Sequence, residues 1–181
     1  IIKLPQEMTY EEGALIEPIA VAVHAIRKAG NLQGENVLVF GAGPIGNLVA
    51  QCAKAGGAEK VMVTEVSDFR LQKAKDCGIE FFSNPAQENI EEAVKRIFGD
   101  EGFNVAFECA GVEITLDNAV QYINKGGDII VVAVFEDRPK VDMAIVGDRE
   151  LNLIGTLMYK HEDYEQAVKL LQCGEIKSAP M

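Results

Sequence analysis

Three glycines stand at the spacing G-x-G-x-x-G in Gly41-Ala42-Gly43-Pro44-Ile45-Gly46, directly after the apolar run Val37-Leu38-Val39-Phe40. A strand that runs into such a turn and then into a helix can cradle a diphosphate. Gly41 allows the tight turn, Gly43 lets the backbone approach the pyrophosphate, and Gly46 lets the helix pack close on the strand. Pro44 suits the first helical turn, where its missing N–H removes no intrahelical bond. The free amides of that turn, with the helix dipole behind them, hold phosphates without a basic side chain. Glu65 follows the next β-branched run, 19 residues beyond Gly46, close to the separation of about 20 at which an acidic side chain reaches the adenosine ribose. A carboxylate there accepts from both ribose hydroxyls and repels a 2′-phosphate, so the expected coenzyme is NAD. Arg70, a little further on, is of the type that pairs a 2′-phosphate and keeps NADP as the lesser alternative. Next to Glu65 it reads instead as pairing with that acid or stacking on adenine.

These residues need a parallel sheet to hold them. Short β-branched runs alternate with longer segments of helical period, as they must when every crossover between parallel strands carries a helix. Strands are expected at 37–40, 61–64, 80–82, 105–108, 129–134 and 151–155. Several are apolar throughout, as strands covered on both faces are. Helices are expected near 45–56, 68–77, 88–98, 113–124 and 161–173, with Gly78, Gly99 and Gly174 as stops and Asp68 as the N-cap of the second. Ahead of the first strand, Met8–Ala29 reads as a long helical region entered through a Thr9/Glu12 capping box and interrupted at Pro18. The fold class is α/β, a Rossmann doubly wound parallel sheet of about six strands with helices on both faces. Residues 1–34 are expected as a helical lead-in and 35–181 as the nucleotide-binding domain.

Composition excludes other classes. A chain of 181 residues suits one domain with a real core, and 48% hydrophobic with 25% charged residues fits neither a disordered nor a fibrous protein. The net charge of −11 repels nucleic-acid phosphates and anionic membranes, so neither is expected as a partner. The start, Ile1-Ile2-Lys3-Leu4-Pro5, lacks a signal-peptide layout, and no apolar run approaches the roughly 18 residues of a membrane span, so a cytoplasmic location is expected. Cys52, Cys77, Cys109 and Cys173 are scattered without a C-x-x-C pair, which points to reduced, mostly buried thiols and not to a disulfide framework or a zinc cluster. His24 and His161 have no metal-type ligand at short spacing and read as satisfied or surface residues. A single-domain dehydrogenase using Tyr-x-x-x-Lys is excluded, because Tyr10, Tyr122, Tyr159 and Tyr164 are followed at the fourth position by Ala14, Gly126, Asp163 and Val168.

Gly13-Ala14-Leu15-Ile16-Glu17-Pro18, the glycine turn, Glu108-Cys109-Ala110-Gly111 and Gly126-Gly127 together resemble the coenzyme half of the zinc-containing medium-chain alcohol dehydrogenases over essentially the whole chain. The first of these segments, followed by His24, is most similar to the sorbitol (polyol) and butanediol branch, whereas Glu65-Val66-Ser67-Asp68-Phe69-Arg70 with Asn84-Pro85 resembles threonine 3-dehydrogenase. The resemblance implies NAD-dependent oxidation of a secondary alcohol, diol or polyol at a zinc held by a preceding catalytic domain. It places Ile45, Glu65 and Arg70 on the pyrophosphate, ribose and adenine side. Val132, Ala133 and Val134 fall where backbone groups meet the nicotinamide, and Leu157, Met158 and Tyr159 close that pocket. It also places Glu17 at or near the catalytic zinc. Read from the residues alone, these last groups are strand-end packing and a helix-start acid. Met158 stands where sorbitol-type enzymes carry an arginine, which favours a smaller or less polar diol. This chain by itself is expected to bind NAD(H) and oxidise nothing, activity belonging to the parent protein. A threonine 3-dehydrogenase-type enzyme is one alternative, and a free-standing nucleotide-sensing module is the alternative from another class. The apolar final strand implies pairing of sheet edges into a homodimer or tetramer.

Overall fold

The computed structural model of the chain describes residues 2–178. Its elements run α1 Tyr10–Ala29, β1 Asn36–Phe40, α2 Pro44–Ala55, β2 Lys60–Thr64, α3 Asp68–Asp76, β3 Phe81–Ser83 and α4 Ile90–Phe98. They continue with β4 Val105–Glu108, α5 Glu113–Tyr122, β5 Asp128–Val131, α6 Met143–Asp148, β6 Asn152–Gly155 and α7 His161–Gln172. The six strands form one sheet in the order β3-β2-β1-β4-β5-β6, every neighbouring pair parallel. The chain winds outward from β1 to β3 and then returns to lay β4 on the other side of β1, with Phe40 opposite Glu108. The crevice at the carboxyl ends of β1 and β4 is the switch point at which open α/β sheets bind ligands.

All five residues of β1 are buried, which is why Val37–Phe40 is an unbroken apolar run, and Asn36 at its start donates from Nδ2 to the Gly102 carbonyl at 2.9 Å. On one face, Val37, Val39, Val63, Phe107 and Ile130 pack with Ile16, Ile19 and Val23 of α1, Leu48 and Val49 of α2 and Ala167 and Leu171 of α7. On the other, Leu38, Phe40, Met62, Ala106 and Ile129 pack with Ala93 and Ile97 of α4 and Leu116 and Val120 of α5. The lead-in helix thus shares a core with the sheet.

Several local expectations are corrected. Helix α1 runs through Pro18 without a break. The lost hydrogen bond and ring clash cost about 3 kcal/mol, but burial of Ile16, Ile19, Ala20 and Val23 on the flanking turns outweighs that, at roughly 1.5–3 kcal/mol for each larger side chain. The N-cap of α3 is Ser67, whose Oγ accepts from Arg70 N at 3.4 Å, and not Asp68. Asp68 instead accepts from Asn84 Nδ2 at 2.8 Å. Strand β5 stops at Val131 and not at 134, because the Val132 and Ala133 amides both turn to the Glu108 carbonyl, at 2.9 and 3.0 Å. Strand β3 is shifted one residue onward, and α6, capped by Asp142, was not expected. All four cysteines are free; Cys52 and Cys77 are buried and Cys173 is exposed. Among the described residues no helix is long and apolar enough to cross a membrane.

Candidate functional site

A cleft of about 340 Å³ opens at the switch point, with Gly41, Gly43, Glu65 and Arg70 on one side and Ala110, Val112 and Thr115 on the other. The glycine turn is built as its spacing demands. Gly41 has φ +95°, a conformation L side chains rarely adopt, and a Cβ there would lie 3.2 Å from Ala110 N. A Cβ on Gly46 would lie 2.0 Å from the Gly41 carbonyl oxygen, so only glycine allows α2 to sit this close to β1. A Cβ on Gly43 would meet nothing within 4 Å. Pro44 is the first residue of α2, and Gly43 as N-cap offers no side chain, so the first-turn amides at Ile45 and Gly46 receive no side-chain cap. Uncapped amides on an open glycine turn make an anion site.

Glu65 lies directly beyond the end of β2 and is buried, its side chain only 6% exposed. Its Oε2 accepts from Ala42 N at 3.0 Å and its Oε1 from Ser67 N at 3.0 Å, so the carboxylate is fixed between the glycine turn and the N-terminus of α3. Arg70 Nη1 stands 3.6 Å from Oε2. Each oxygen keeps a further lone pair for a hydroxyl donor. Val66, Pro85, Val112 and Ile114 line the cleft beyond Glu65 with apolar surface of the kind a flat base requires. Cys109 lines it too, and burial followed by the neighbouring Glu108 carboxylate pushes its thiol far up, so it stays neutral.

On the far side of the turn, Val132, Ala133 and Val134 form the loop after β5, and Leu157, Met158 and Tyr159 follow β6. Val134, Leu157 and Met158 are 85%, 77% and 55% exposed, and Met158 has φ +54°. Tyr159 packs edge-on against Tyr164 with ring centroids 4.7 Å apart. Its phenol is raised to about 12 by the neighbouring Tyr164 hydroxyl, by desolvation and by the nearby Glu17 carboxylate. Glu17 is exposed on α1, so the fold brings it to Tyr159 across 142 residues of sequence. The histidines are as read: His24 is satisfied by Asp163 Oδ2 at 2.9 Å, and His161 is exposed.

The donor set does not fit a zinc ion within this chain. Among the described residues no group of three or more His, Cys, Asp and Glu side chains is placed to hold a metal. The residue that sequence reasoning missed is Glu108. It was visible only as part of the Glu-Cys-Ala-Gly segment, yet it is fully buried and receives three hydrogen bonds. An acid ending an apolar strand three residues before a glycine is the signal that marks it.

Fold and site together define a doubly wound α/β domain with a dinucleotide-type cleft. Residues 44–172 match the zinc-binding dehydrogenase family, and the chain belongs to it. It is 36% identical over 187 residues to sorbitol dehydrogenase 1 of Saccharomyces cerevisiae, aligning 100% of this chain with 52% of that protein. It is 37% identical over 181 residues to the sorbitol dehydrogenase of Ovis aries, at 99% of this chain and 51% of that one. The crystal structure of 2R,3R-butanediol dehydrogenase from Bacillus subtilis matches with a TM-score of 0.89 and 32% identity, over 99% of this chain and 51% of the other. The chain spans about half the length of the curated relatives it matches.

Proposed function

We propose that the cleft binds NAD(H) and that the protein carrying this chain oxidises a secondary alcohol, favouring a small diol over a polyol, by hydride transfer to NAD. The observation that carries the coenzyme reading is the pairing of an uncapped glycine turn with the buried Glu65 carboxylate. The turn's amides hold the diphosphate, Glu65 accepts from the ribose hydroxyls, and its charge disfavours a 2′-phosphate. Glu65 also keeps Arg70 occupied, which removes the natural partner of that phosphate. The adenine lies against Val66, Pro85 and Val112. The nicotinamide lies toward Val132–Val134, with Leu157, Met158 and Tyr159 as the opposite wall. The coenzyme supplies the hydride acceptor when bound; these residues orient its ring and keep the cleft apolar.

Residues 1–34 link this domain to a catalytic half that carries most of the zinc ligands, and Glu17, near Tyr159, reaches toward that centre from α1. The apolar Val134, Leu157 and Met158 surface offers a polyhydroxylated chain few partners, and this supports the diol. The likeness to a butanediol dehydrogenase supports it further. Strand β6 is the sheet edge, with Leu153 exposed on it, and a second copy pairs there to extend the sheet. Titration with NADH and NADPH tests the coenzyme reading: NADH should bind at least tenfold tighter, and tighter NADPH binding would contradict it. Turnover of 2,3-butanediol against sorbitol by the intact protein tests the substrate, and a higher kcat/KM for sorbitol removes the diol reading. Sedimentation tests the pairing, which a monomer at high concentration rules out.

A further inference from the structure

Glu108 is fully buried at the end of β4, and the coenzyme reading gives it no task. Its Oε1 accepts from Ala110 N at 3.0 Å, Gly111 N at 2.9 Å and Thr115 Oγ1 at 2.7 Å. Its Oε2 is buried with no hydrogen-bond partner among the described residues. Its backbone carbonyl accepts from the Val132 and Ala133 amides. A buried carboxylate is costly, and only well-placed donors offset that cost. Here all three donors belong to the turn that leads from β4 into α5, residues 110–115, with Thr115 in the first turn of that helix.

That turn is wedged between the two halves of the cleft. On one side, Ala110 N lies 3.2 Å from the place a Cβ on Gly41 would take; on the other, the Val134 carbonyl oxygen lies 2.9 Å from the Cβ position of Gly111. Gly111 has φ +73°, and its N–H bond to Glu108 fixes that left-handed geometry. The same glutamate therefore holds, through its side chain, the turn that packs on the diphosphate loop and, through its main chain, the loop on the nicotinamide side.

We infer that Glu108 is a positioning residue for the coenzyme: by fixing the turn between the 41–46 loop and the 132–134 loop it sets their separation, and so selects ligands long enough to span both. The inference rests on the coenzyme reading above. Glu108→Gln keeps the shape and one acceptor but removes the charge that makes these bonds about twice as strong as neutral ones. NADH and AMP are titrated calorimetrically against the intact wild-type protein and this variant, with melting followed by circular dichroism. AMP occupies the Glu65 side and touches the turn only at Val112, whereas NADH spans the turn and needs both loops at their set separation. AMP affinity should stay within about twofold while NADH affinity falls about tenfold. Glu108→Asp, which keeps the charge but withdraws it by one methylene, should show the same asymmetry and serves if the glutamine variant does not fold. Equal losses for both ligands, a greater loss for AMP, or no loss for either overturns the inference and leaves Glu108 a stabilising cap. A wild-type protein that binds neither ligand sinks the coenzyme reading itself, and the inference with it.

Discussion

Gly43 and Gly46 stand three residues apart in one turn, and the structure gives them opposite responses to an added methyl group. A Cβ on Gly43 meets nothing within 4 Å, and its φ of −62° and ψ of 177° are open to any L residue. Gly43→Ala stiffens the unfolded chain, a gain of about 0.4–1 kcal/mol. It also puts a poor residue at an N-cap, a loss of roughly 0.5–1 kcal/mol. These nearly cancel, so Tm should move by no more than about 2 °C. The same methyl occupies the space the diphosphate needs, and NADH affinity should fall at least about tenfold. Gly46→Ala is the converse. Its Cβ would sit 2.0 Å from the Gly41 carbonyl oxygen, a backbone atom that cannot swing away. The helix must back off the strand at a cost of about 3 kcal/mol or more, lowering Tm by roughly 6–12 °C. Scanning calorimetry without ligand, followed by NADH titration, reads both effects. If the Gly43→Ala protein melts normally and binds NADH as well as wild type, the diphosphate does not lie on this turn and the reasoning fails.

Glu65→Ala leaves the Ala42 and Ser67 amides without their acceptor and frees Arg70. It should lower stability by about 2–4 kcal/mol and raise the NADPH-to-NADH affinity ratio at least tenfold; an unchanged ratio assigns selection elsewhere. The Tyr159 hydroxyl, held to about 12 by Tyr164, desolvation and Glu17, has its folded value raised. Its stabilisation is thus full below about pH 10 and lost as pH climbs through 12. In an absorbance titration the last phenolate step should vanish in Tyr159→Phe, and its persistence would reassign that step. Asp163 is fully buried; its Oδ2 accepts from His24 at 2.9 Å and from Lys160 N at 2.6 Å, and its Oδ1 ion-pairs with Arg27 at 2.7 Å, joining α1 to α7. Asp163→Asn should cost about 3 kcal/mol in a urea melt, and a loss under about 1 kcal/mol would show the cluster to be loosely held. The 181-residue chain should bind NADH yet give no turnover of 2,3-butanediol with zinc added; turnover would place a complete metal site within it.

The parts of the fold that burial dictates were legible. Strands β1, β2 and β4 are largely apolar because helices cover both faces, and the glycine turn is legible because a Cβ at position 46 would lie 2.0 Å from the Gly41 carbonyl oxygen, so only glycine lets α2 pack this close on β1. What escaped the sequence depends on tertiary competition. Pro18 breaks helices in general, and nothing local says that its neighbours are buried deeply enough to override it. Ser67 and Asp68 are both good caps, and the choice falls to Ser67 because Asn84, sixteen residues on, binds Asp68. Helix α6 has six residues, too few to show a period. The end of β5 is set by the Glu108 carbonyl, not by composition. Glu17 and Tyr159 are equally illegible as a pair, since only the packing of α1 beneath the chain after β6 brings them together. Glu108 reads as any strand-end acid until its burial is known.

A crystal structure of the protein with NAD bound decides most directly whether this cleft is a coenzyme site. The diphosphate should lie within hydrogen-bonding distance of the Ile45 and Gly46 amides, with the adenosine ribose hydroxyls on the Glu65 carboxylate. A coenzyme seated anywhere else, or a cleft left empty at saturating NAD, contradicts it.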